Sequence, residues 1–376
     1  MKRKMALFLI LTVLLFVLSI TASADEADDG IRMPEEYKDF TDSLPEDILD
    51  RLPKGFLADD PEDVGGAVRE LSAPGELLSL LLDGILGGVK SIMPTLYGII
   101  GVMLISAVLG QISSSFNNEA ATGFISRICV ISIVMGLVYN SILMLSGYFT
   151  NLCRMAAAYL PLSAVLYAIG GNVTAAASSS ATFGICLSVC QFIFTYTAIP
   201  VFVFSLSLAI VSTFYESKII ASISSGVKKY YTMLLSFVMT LLSISLGAQT
   251  AISAKADNAA MRGAKLLFGN FIPITGGVVS SSLGAVASGV ELIRGCVGIG
   301  GVVIIIMMLT PLISHLAIMK FMLFLIGIFG DLTGENSGVI SQISSLYSYL
   351  LGVAAISSSV FILSFGLLGF CASAIR

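Results

Sequence analysis

Long apolar runs separated by short polar stretches fill most of the chain from residue 92 to its C-terminus. Of the 376 residues, 56% are hydrophobic and 12% are charged, and the mean hydropathy is +0.96. A water-soluble domain has about twice that charged fraction, because its surface must be wetted. The chain is therefore predicted to be an all-α, polytopic membrane protein, since helices satisfy their own backbone hydrogen bonds in lipid.

Eight runs are long and apolar enough to cross a bilayer core of about 30 Å as helices. They are 92–109, 128–147, 181–198, 201–215, 230–247, 295–310, 312–330 and 345–370. A further apolar stretch, 77–89, is interrupted by Asp83 and by glycines, and it is assigned to the membrane interface. About eight spans are thus expected in a membrane domain of residues 77–376.

The first 24 residues have the parts of a secretory signal peptide. Residues 2–4 are basic, residues 5–20 are apolar, and a small-residue cleavage site ends at Ala24. The apolar run is short for a span, so cleavage is favoured over retention as an uncleaved anchor. In both cases the following segment, 25–76, begins outside the cytoplasm.

Residues 25–76 form an acidic arm. The arm holds 17 of the 24 acidic residues and 5 of the 20 basic ones. Because it is dense in Asp, Glu and Pro, its first part is expected to be solvated and weakly ordered. A capping-box pattern at 43–46 then predicts a short amphipathic helix, either docked on the membrane or a partner or marginal on the surface. Its apolar face would be Leu44, Ile48, Leu49 and Leu52.

The last four prolines form two pairs with nearly equal spacing. They are Pro161 with Pro200, 39 apart, and Pro273 with Pro311, 38 apart. Residues 160–163 resemble residues 272–275, and each segment precedes a stretch rich in Gly, Ala and Ser. Membrane helices are in general rich in Gly and Pro. The agreement in spacing nevertheless favours an internal duplication, with units of about 128–215 and 230–330.

Duplicated units interrupted by Pro and Gly are typical of transporter and channel folds. The glycines after the first proline of each unit are predicted hinge or packing positions: Gly170 and Gly171, and Gly276 and Gly277. If residues 161–180 re-enter the membrane, the two units are inverted; if these residues cross it, the units are parallel. Basic residues divide equally between the two sides in either case, so the positive-inside rule does not choose.

Groups that could support an enzyme are scarce. His315 is the one histidine, so neither a zinc-protease helix nor a two-histidine metal site can be built. The chain has no G-x-S-x-G elbow and no Walker A loop. It is predicted to be no enzyme, to hold no metal or cofactor, and to bind no nucleic acid.

Lys320 lies near the centre of the run 312–330, where an unpaired ammonium costs at least about 2.5 kcal/mol. It is expected to face a cavity or a carboxylate, with Glu291 and Asp331 as candidate partners. His315, predicted to be packed and hydrogen-bonded, would border the same cavity. The alternative is that the helix frame is shifted and Lys320 reaches the interface from a helix end.

Arg294 and a group of glycines begin the same region. A surface ion pair between Glu291 and Arg294 at a helix end is the favoured interpretation of these charges. The glycines are predicted to be packing sites and hinges, where a neighbouring backbone approaches closely. They are Gly295, Gly298, Gly300 and Gly301.

Together these features resemble the stage III sporulation protein AE family of endospore-forming bacteria over nearly the whole chain. The resemblance is carried by 160–163, Gly170 with Gly171, 271–277 and Pro311, together with the signal peptide and acidic arm. It implies a permease-like mother-cell membrane protein of the complex that links the mother cell to the engulfed forespore. It also implies partners: other stage III A operon proteins, including a secretion-type ATPase and ring-forming proteins, and indirectly stage II protein Q.

Two other functions stay open. The first is a self-sufficient secondary transporter that uses Lys320 and nearby carboxylates for ion coupling. The second is a purely structural membrane scaffold whose core conducts nothing. The resemblance implies no catalytic residues in any of these cases.

Overall fold

The computed structural model describes residues 32–73, part of the stretch 75–108, and residues 119–169, 173–214, 218–271, 276–333 and 338–373. All regular elements in these ranges are helices, which confirms the predicted all-α class. The predicted signal peptide lies outside the described residues.

Five stretches of the described residues are long and apolar enough to cross a membrane. They are Met135–Ile169, Ala176–Ser212, Ile219–Gln249, Ile293–Ile328 and Ile340–Gly366. This confirms the membrane character of the chain. The stretches are 27 to 37 residues long, so all of them exceed the roughly 20 residues that a bilayer requires.

The arm folds into short helices from residue 32 onward, where its first part was expected to be weakly ordered. The elements are α1 (Glu35–Asp42), α2 (Glu46–Leu49), a 3-10 turn (Lys54–Leu57) and α3 (Pro61–Leu71). Asp60 caps α3 by accepting a hydrogen bond from the Glu62 amide at 3.0 Å, and Pro61 occupies the first turn. The expectation fails because each short element carries apolar side chains that bury against the rest of the protein.

The capping box predicted at 43–46 is wrong. Ser43 ends α1, and its hydroxyl donates to the carbonyl of Phe40 at 2.6 Å. The next helix, α2, begins after Pro45 without a side-chain cap. The predicted apolar face is nevertheless confirmed, since its side chains are buried or packed against the core: Leu44, Ile48, Leu49 and Leu52.

Residues 119–373 form a bundle of five long helical segments. They are α4 (Glu119–Ile169); α5 (Val173–Ile193), which continues through a π-helical turn (Phe194–Ala198) into α6 (Ile199–Phe214); α7 (Lys218–Phe271); α8 (Gly276–Thr333); and α9 (Gly338–Ser373). Helices α4, α5, α8 and α9 are apolar around their whole circumference rather than on one face. That pattern is typical of helices surrounded by lipid and by other helices.

Contacts along the bundle give the direction of each segment. Helices α4 and α9 are parallel, because Tyr159 packs on Phe365 whereas the earlier Tyr148 bonds the earlier Ser358. The segment α5–α6 runs antiparallel to α4, since Tyr159 also contacts Phe183 whereas the earlier Phe149 stacks on the later Phe194.

Contacts of the same kind give the directions of the remaining two helices, α7 and α8. Helix α8 is antiparallel to α4, because Arg294 reaches Leu166 whereas the later His315 reaches the earlier Ser141. Helix α7 is antiparallel to α5–α6, because the earlier Ser224 of α7 contacts the later Ser205, whereas the later Met239 contacts the earlier Cys190. Segments α4, α7 and α9 thus run one way, and α5–α6 and α8 run the other.

Three prolines lie inside helical segments and do not separate them. Pro161 lies in α4, Pro200 is the second residue of α6, and Pro311 lies in α8. The predicted division into separate spans at Pro200 and Pro311 is therefore wrong. Each side chain is exposed, and membrane helices tolerate proline where local π turns or Ser and Thr hydroxyls satisfy the freed carbonyls. The π turn before Pro200 fills this role there.

The two proposed repeat units, 128–215 and 230–330, have the same orientation. Each consists of a helix running away from one end of the bundle and a helix returning to it. This corresponds to the parallel alternative and not the inverted one. The local match is incomplete, because Pro161 lies inside α4 whereas Pro273 lies between α7 and α8, outside the described residues. The duplication itself stays a prediction.

Helix α8 is the most buried of the five candidate spans, and α7 is the least buried. The outer side of α7 exposes a continuous row of large apolar side chains: Tyr230, Met233, Leu234, Phe237, Leu241 and Ile244. Such a row suits contact with lipid. The bundle therefore has α8 at its centre and α7 at its periphery.

Candidate functional site

One turn of α9 supplies polar side chains to three neighbouring segments in the interior of the bundle. Ser345 contacts α7, Tyr347 contacts α4 near α8, and Tyr349 contacts the π turn. We call this group the polar layer. Its members are Ser141, Thr197, Lys228, Tyr231, His315, Ser345, Tyr347 and Tyr349.

Ser141 is the centre of the polar layer. Its hydroxyl donates to the carbonyl of Leu137 at 2.9 Å, and its oxygen lies 3.2 Å from both Nε2 of His315 and the hydroxyl of Tyr347. Because a serine has one proton to donate, its oxygen must accept from the other two groups. The network therefore requires a proton on Nε2 of His315. All three side chains are buried.

The π turn forms the second part of the polar layer. Tyr349 donates to the carbonyl of Ala198 at 3.1 Å, and the hydroxyls of Thr197 and Tyr231 lie 2.7 Å apart. The rings of Tyr231 and Tyr349 contact each other at 5.8 Å. A π turn leaves carbonyls without their usual helical donors, and the tyrosine hydroxyl satisfies one of them.

Lys228 forms the third part. Its Nζ donates to the hydroxyl oxygen of Ser345 at 2.5 Å, and Ser345 in turn donates to the carbonyl of Gln342 at 2.6 Å. The lysine is only 6% exposed. A buried ammonium needs hydrogen-bond partners of this kind, because its desolvation is costly.

Arg294 is fully buried. The prediction that it lies on the surface, paired with Glu291, is therefore wrong. Its Nε and Nη2 donate to the carbonyl of Leu166 at 3.1 and 2.8 Å, and Nη2 also donates to Tyr167 O at 3.2 Å. Its guanidinium lies 4.9 Å from the centre of the Tyr167 ring. These carbonyls belong to the last turn of α4, which has no further helical amides to bond them. Arg294 thus caps α4 from the side of α8.

Lys320 is not brought together with its candidate carboxylates. Glu291, Lys320 and Asp331 all lie in the single helix α8. Glu291 is 29 positions before Lys320, and Asp331 is 11 positions after it, which corresponds to about 43 and 16 Å along a helix. Both distances exceed the length of any pair of side chains. Lys320 itself is exposed on the outside of the bundle, whereas His315 is buried within it.

The predicted packing glycines take on distinct roles. A Cβ on Gly300 would lie 2.9 Å from Phe56 of the arm, and one on Gly301 would lie 2.0 Å from Phe365 of α9. Close packing is thus found at these two, but against aromatic side chains and not against a neighbouring backbone as predicted. Gly276 and Gly277 begin α8. Gly170 and Gly171 lie outside the described residues, as does Pro273.

The polar layer is arranged for hydrogen bonding rather than for covalent chemistry. Ser141 and His315 have the separation of a nucleophile and its base. However, the Ser141 side chain is 0% exposed and its proton points to a backbone carbonyl, so a substrate has no access to its oxygen. Within the described ranges, no group of three or more His, Cys, Asp or Glu side chains is placed to hold a metal ion.

Residues 69–371 match the family model described as Stage III sporulation protein AE. The match covers far more than half of the chain and includes the whole polar layer. The chain belongs to the stage III sporulation protein AE family. This confirms the resemblance found in the sequence, and homology supports a role in sporulation.

A protein of Bacillus subtilis (strain 168) named Stage III sporulation protein AE is 24% identical to the chain over 215 residues. The alignment covers 56% of the chain and 54% of the relative, so the chain spans about half the length of this relative. No solved structure matches the chain. The match to the stage III sporulation protein AE model begins at Arg69, near the end of α3, so the arm at 32–68 lies outside it.

Sequence reasoning missed most of the polar layer. It singled out His315, but Ser141, Tyr347 and Tyr349 are common residue types in membrane helices and carry no charge. One signal was available: Ser345, Tyr347 and Tyr349 are polar residues within a single turn of an otherwise apolar run. Their partners on other helices, however, are 117 to 206 positions distant in the chain, and spacing alone does not reveal them.

Proposed function

We propose that the protein is a permease-like membrane subunit of the channel complex between the mother cell and the engulfed forespore, required for sporulation after engulfment. The observation that carries this proposal is the family match across the whole helix bundle. The polar layer supports it, because hydrogen-bonded polar groups between helices at membrane depth frequently mark transport pathways.

The proposed location is the mother-cell membrane that faces the forespore, with the arm outside the cytoplasm after signal cleavage. The arm packs on α8 at Gly300, and a folded, acidic segment does not belong in lipid. Lys320 lies 20 positions further along α8, about 30 Å away, which is about one bilayer thickness. Its exposed ammonium would then reach the cytoplasmic interface, as the snorkelling alternative requires. Lys228, which bonds Ser345 of α9, lies on the same side.

The proposal assigns energy coupling to a partner and no enzymatic activity to this chain. Other stage III A operon proteins, including a secretion-type ATPase and ring-forming proteins, are the proposed partners, with stage II protein Q contacting the complex indirectly. The arm is available to such partners in the intermembrane space. The lipid bilayer covers the exposed row on α7.

A deletion strain tests the proposal. Cells without the gene are expected to engulf the forespore and then stall, and the full-length gene supplied in trans is expected to restore spore yield. Microscopy with a membrane dye separates arrest after engulfment from earlier arrest. A normal yield of heat-resistant spores from the deletion strain would contradict the proposal.

The tight packing around α8 favours a second candidate, a structural scaffold that conducts nothing. Most described side chains of α8 are buried, and the polar His315 among them is hydrogen-bonded. For a scaffold, substitutions in the polar layer would reduce spore yield only in proportion to protein level. A variant with a normal level and a large loss of yield would exclude the scaffold. A self-sufficient ion-coupled transporter has less support, because Lys320 is separated from Glu291 and Asp331 along one helix.

A further inference from the structure

The arm covers one end of the bundle through its apolar side. Phe40 is fully buried and contacts two helices, with ring centres 6.5 Å from Tyr159 of α4 and 6.1 Å from Phe365 of α9. Further along the arm, Phe56 lies against Gly300 of α8. The arm therefore contacts three different helices at the same end.

The contact with α8 depends on two glycines, one on each side. Gly300 leaves room for the Phe56 ring, since a Cβ there would lie 2.9 Å from Cε2 of Phe56 and 3.3 Å from Cγ2 of Val68. Gly65 of α3 lies over Cys296 of α8, and a Cβ at Gly65 would be 3.3 Å from Sγ. The fit is close enough that the docked position of the arm is well defined.

The arm is braced internally, independently of the bundle. The Tyr37 hydroxyl donates to the carbonyl of Phe56 at 2.7 Å, and the Met33 amide donates to the carbonyl of Asp59 at 3.0 Å. Lys38 and Asp59 form an ion pair at 3.3 Å. Burial raises the pKa of the Tyr37 hydroxyl well above its usual range, so the group remains a donor. These bonds join the start of the arm to its middle, and α3 packs on that middle, where a Cβ on Gly55 would lie 3.0 Å from Asp63 O. The parts of the arm therefore hold together without the bundle.

We propose that the arm is a releasable clamp on the outer end of the bundle. When docked, it holds the ends of α4, α8 and α9 together, and a pathway can open at this end only after the arm leaves. The contacts of Phe40 and Phe56 with the bundle are apolar and mutually complementary, whereas the arm's internal bonds survive release. This inference rests on the proposed permease-like function.

A disulfide between the arm and α8 tests the clamp. In Gly65→Cys, the new thiol is placed beside Cys296 at a distance suited to a disulfide. The neighbouring Gly66→Cys faces open space and serves as the control. Oxidant added to membranes is expected to form a disulfide between residues 65 and 296 in Gly65→Cys, which peptide mass spectrometry would locate. In Gly66→Cys no such disulfide is expected. Absence of the Gly65→Cys cross-link would overturn the docked arrangement.

The same variants in sporulating cells separate the clamp from the proposed function. The cross-linked Gly65→Cys protein is expected to reduce spore yield at least tenfold after normal engulfment. Gly66→Cys, which faces open space and should not form this disulfide, is expected to stay within twofold of wild type. Normal yield from fully cross-linked protein would overturn the clamp even if the deletion strain stalls. Normal yield from the deletion strain would instead overturn the proposed function.

A second variant keeps the test decisive if Gly65→Cys accumulates poorly. Phe56→Ala removes the side chain that fills the space above Gly300, so the arm should leave more often. Labelling of Cys296 by a membrane-impermeant maleimide is expected to become at least tenfold faster than in wild type. Phe192→Ala, at an exposed position on α5, is the control and should label as slowly as wild type. An unchanged rate in Phe56→Ala would overturn release of the arm.

Discussion

At the scale of single residues, the polar side chains inside the bundle act mainly by bonding backbone carbonyls and one another. Arg294 illustrates this, since an arginine that sequence reasoning placed on the surface instead bonds the carbonyls at the end of α4. The reason is geometric: the planar guanidinium offers several donors in fixed directions and bonds two successive carbonyls at once, whereas a lysine offers a single nitrogen. Its long apolar stem also packs within the bundle.

Removal of the Arg294 side chain should therefore be costly. Arg294→Met is expected to lower the unfolding free energy by about 2–4 kcal/mol, because buried carbonyls lose charged donors. Arg294→Lys should fall between this variant and wild type. Thermal or denaturant unfolding of the purified protein in detergent measures the effect. Arg51→Met, at an exposed position of the arm, should shift stability by less than about 0.5 kcal/mol; equal losses in the two methionine variants would contradict the capping role.

The Ser141 network makes a second prediction at this scale. Ser141→Ala leaves both the Tyr347 hydroxyl and Nε2 of His315 without their acceptor and should cost about 1–3 kcal/mol. Tyr347→Phe removes only one donor and should cost about 0.5–1.5 kcal/mol. The double variant should lose less stability than the sum of the two single losses, with a coupling energy of at least about 0.5 kcal/mol.

Ser132→Ala provides the matched control for this cycle. Ser132 is exposed on the same helix, and its hydroxyl donates to the carbonyl of Ile128 as Ser141 donates to Leu137. It should show no coupling to Tyr347→Phe in the same unfolding experiment. Strict additivity of Ser141→Ala and Tyr347→Phe would show that the network is not energetically connected.

At the scale of helices, composition predicted the kind of element correctly but not where each one ends. Apolar runs identify membrane helices because lipid leaves the backbone few alternatives. The divisions predicted at Pro200 and Pro311 failed, because both prolines face outward within continuous helical segments and a π turn adjoins Pro200. Whether a proline ends a helix depends on neighbours that the local sequence does not specify.

The packing of α8 against α9 gives a prediction for whole elements. Gly301→Ala would place a methyl carbon 2.0 Å from Cδ1 of Phe365, so the two helices must move apart or the ring must turn. A loss of about 1–3 kcal/mol is expected from such overpacking, measured by unfolding in detergent, with partial recovery in Gly301→Ala/Phe365→Leu.

Gly295→Ala is the control for this substitution, since it lies in the same helix with no atom of a neighbour within 4 Å. It should be neutral or stabilising by up to about 1 kcal/mol, because alanine favours the helix. A comparable loss at both positions would mean that α8 and α9 are not in close contact at Gly301.

At the scale of the whole molecule, the arm and the bundle form a continuous core that the sequence did not reveal. The helical spacing of apolar residues predicted the buried face around α2, including Ile48 and Leu52. It did not predict the surface on which that face packs, because the arm and α8 are more than 200 positions apart. Pairing of distant segments depends on shapes such as the space above Gly300, which composition and periodicity do not encode.

The direction of the helices predicts the topology of the protein. Helix α4 ends and α5 begins at the arm end, whereas α6 ends and α7 begins at the opposite end. An impermeant thiol reagent is expected to label Gly171→Cys in intact cells, and to label Ser217→Cys only after permeabilisation. Native cysteines replaced by serine provide the background control, and labelling of both positions from the same side would contradict the arrangement.

The contact between Phe56 and Gly300 also has a consequence for comparisons among relatives. Phe56 precedes the region that matches the family, whereas Gly300 lies within it. A relative with a larger side chain at the position of Gly300 has no room for a phenylalanine above it. Substitutions at the two positions should therefore be correlated across species, and the residue found in α8 should indicate which arms are related by descent even where their own sequences have diverged.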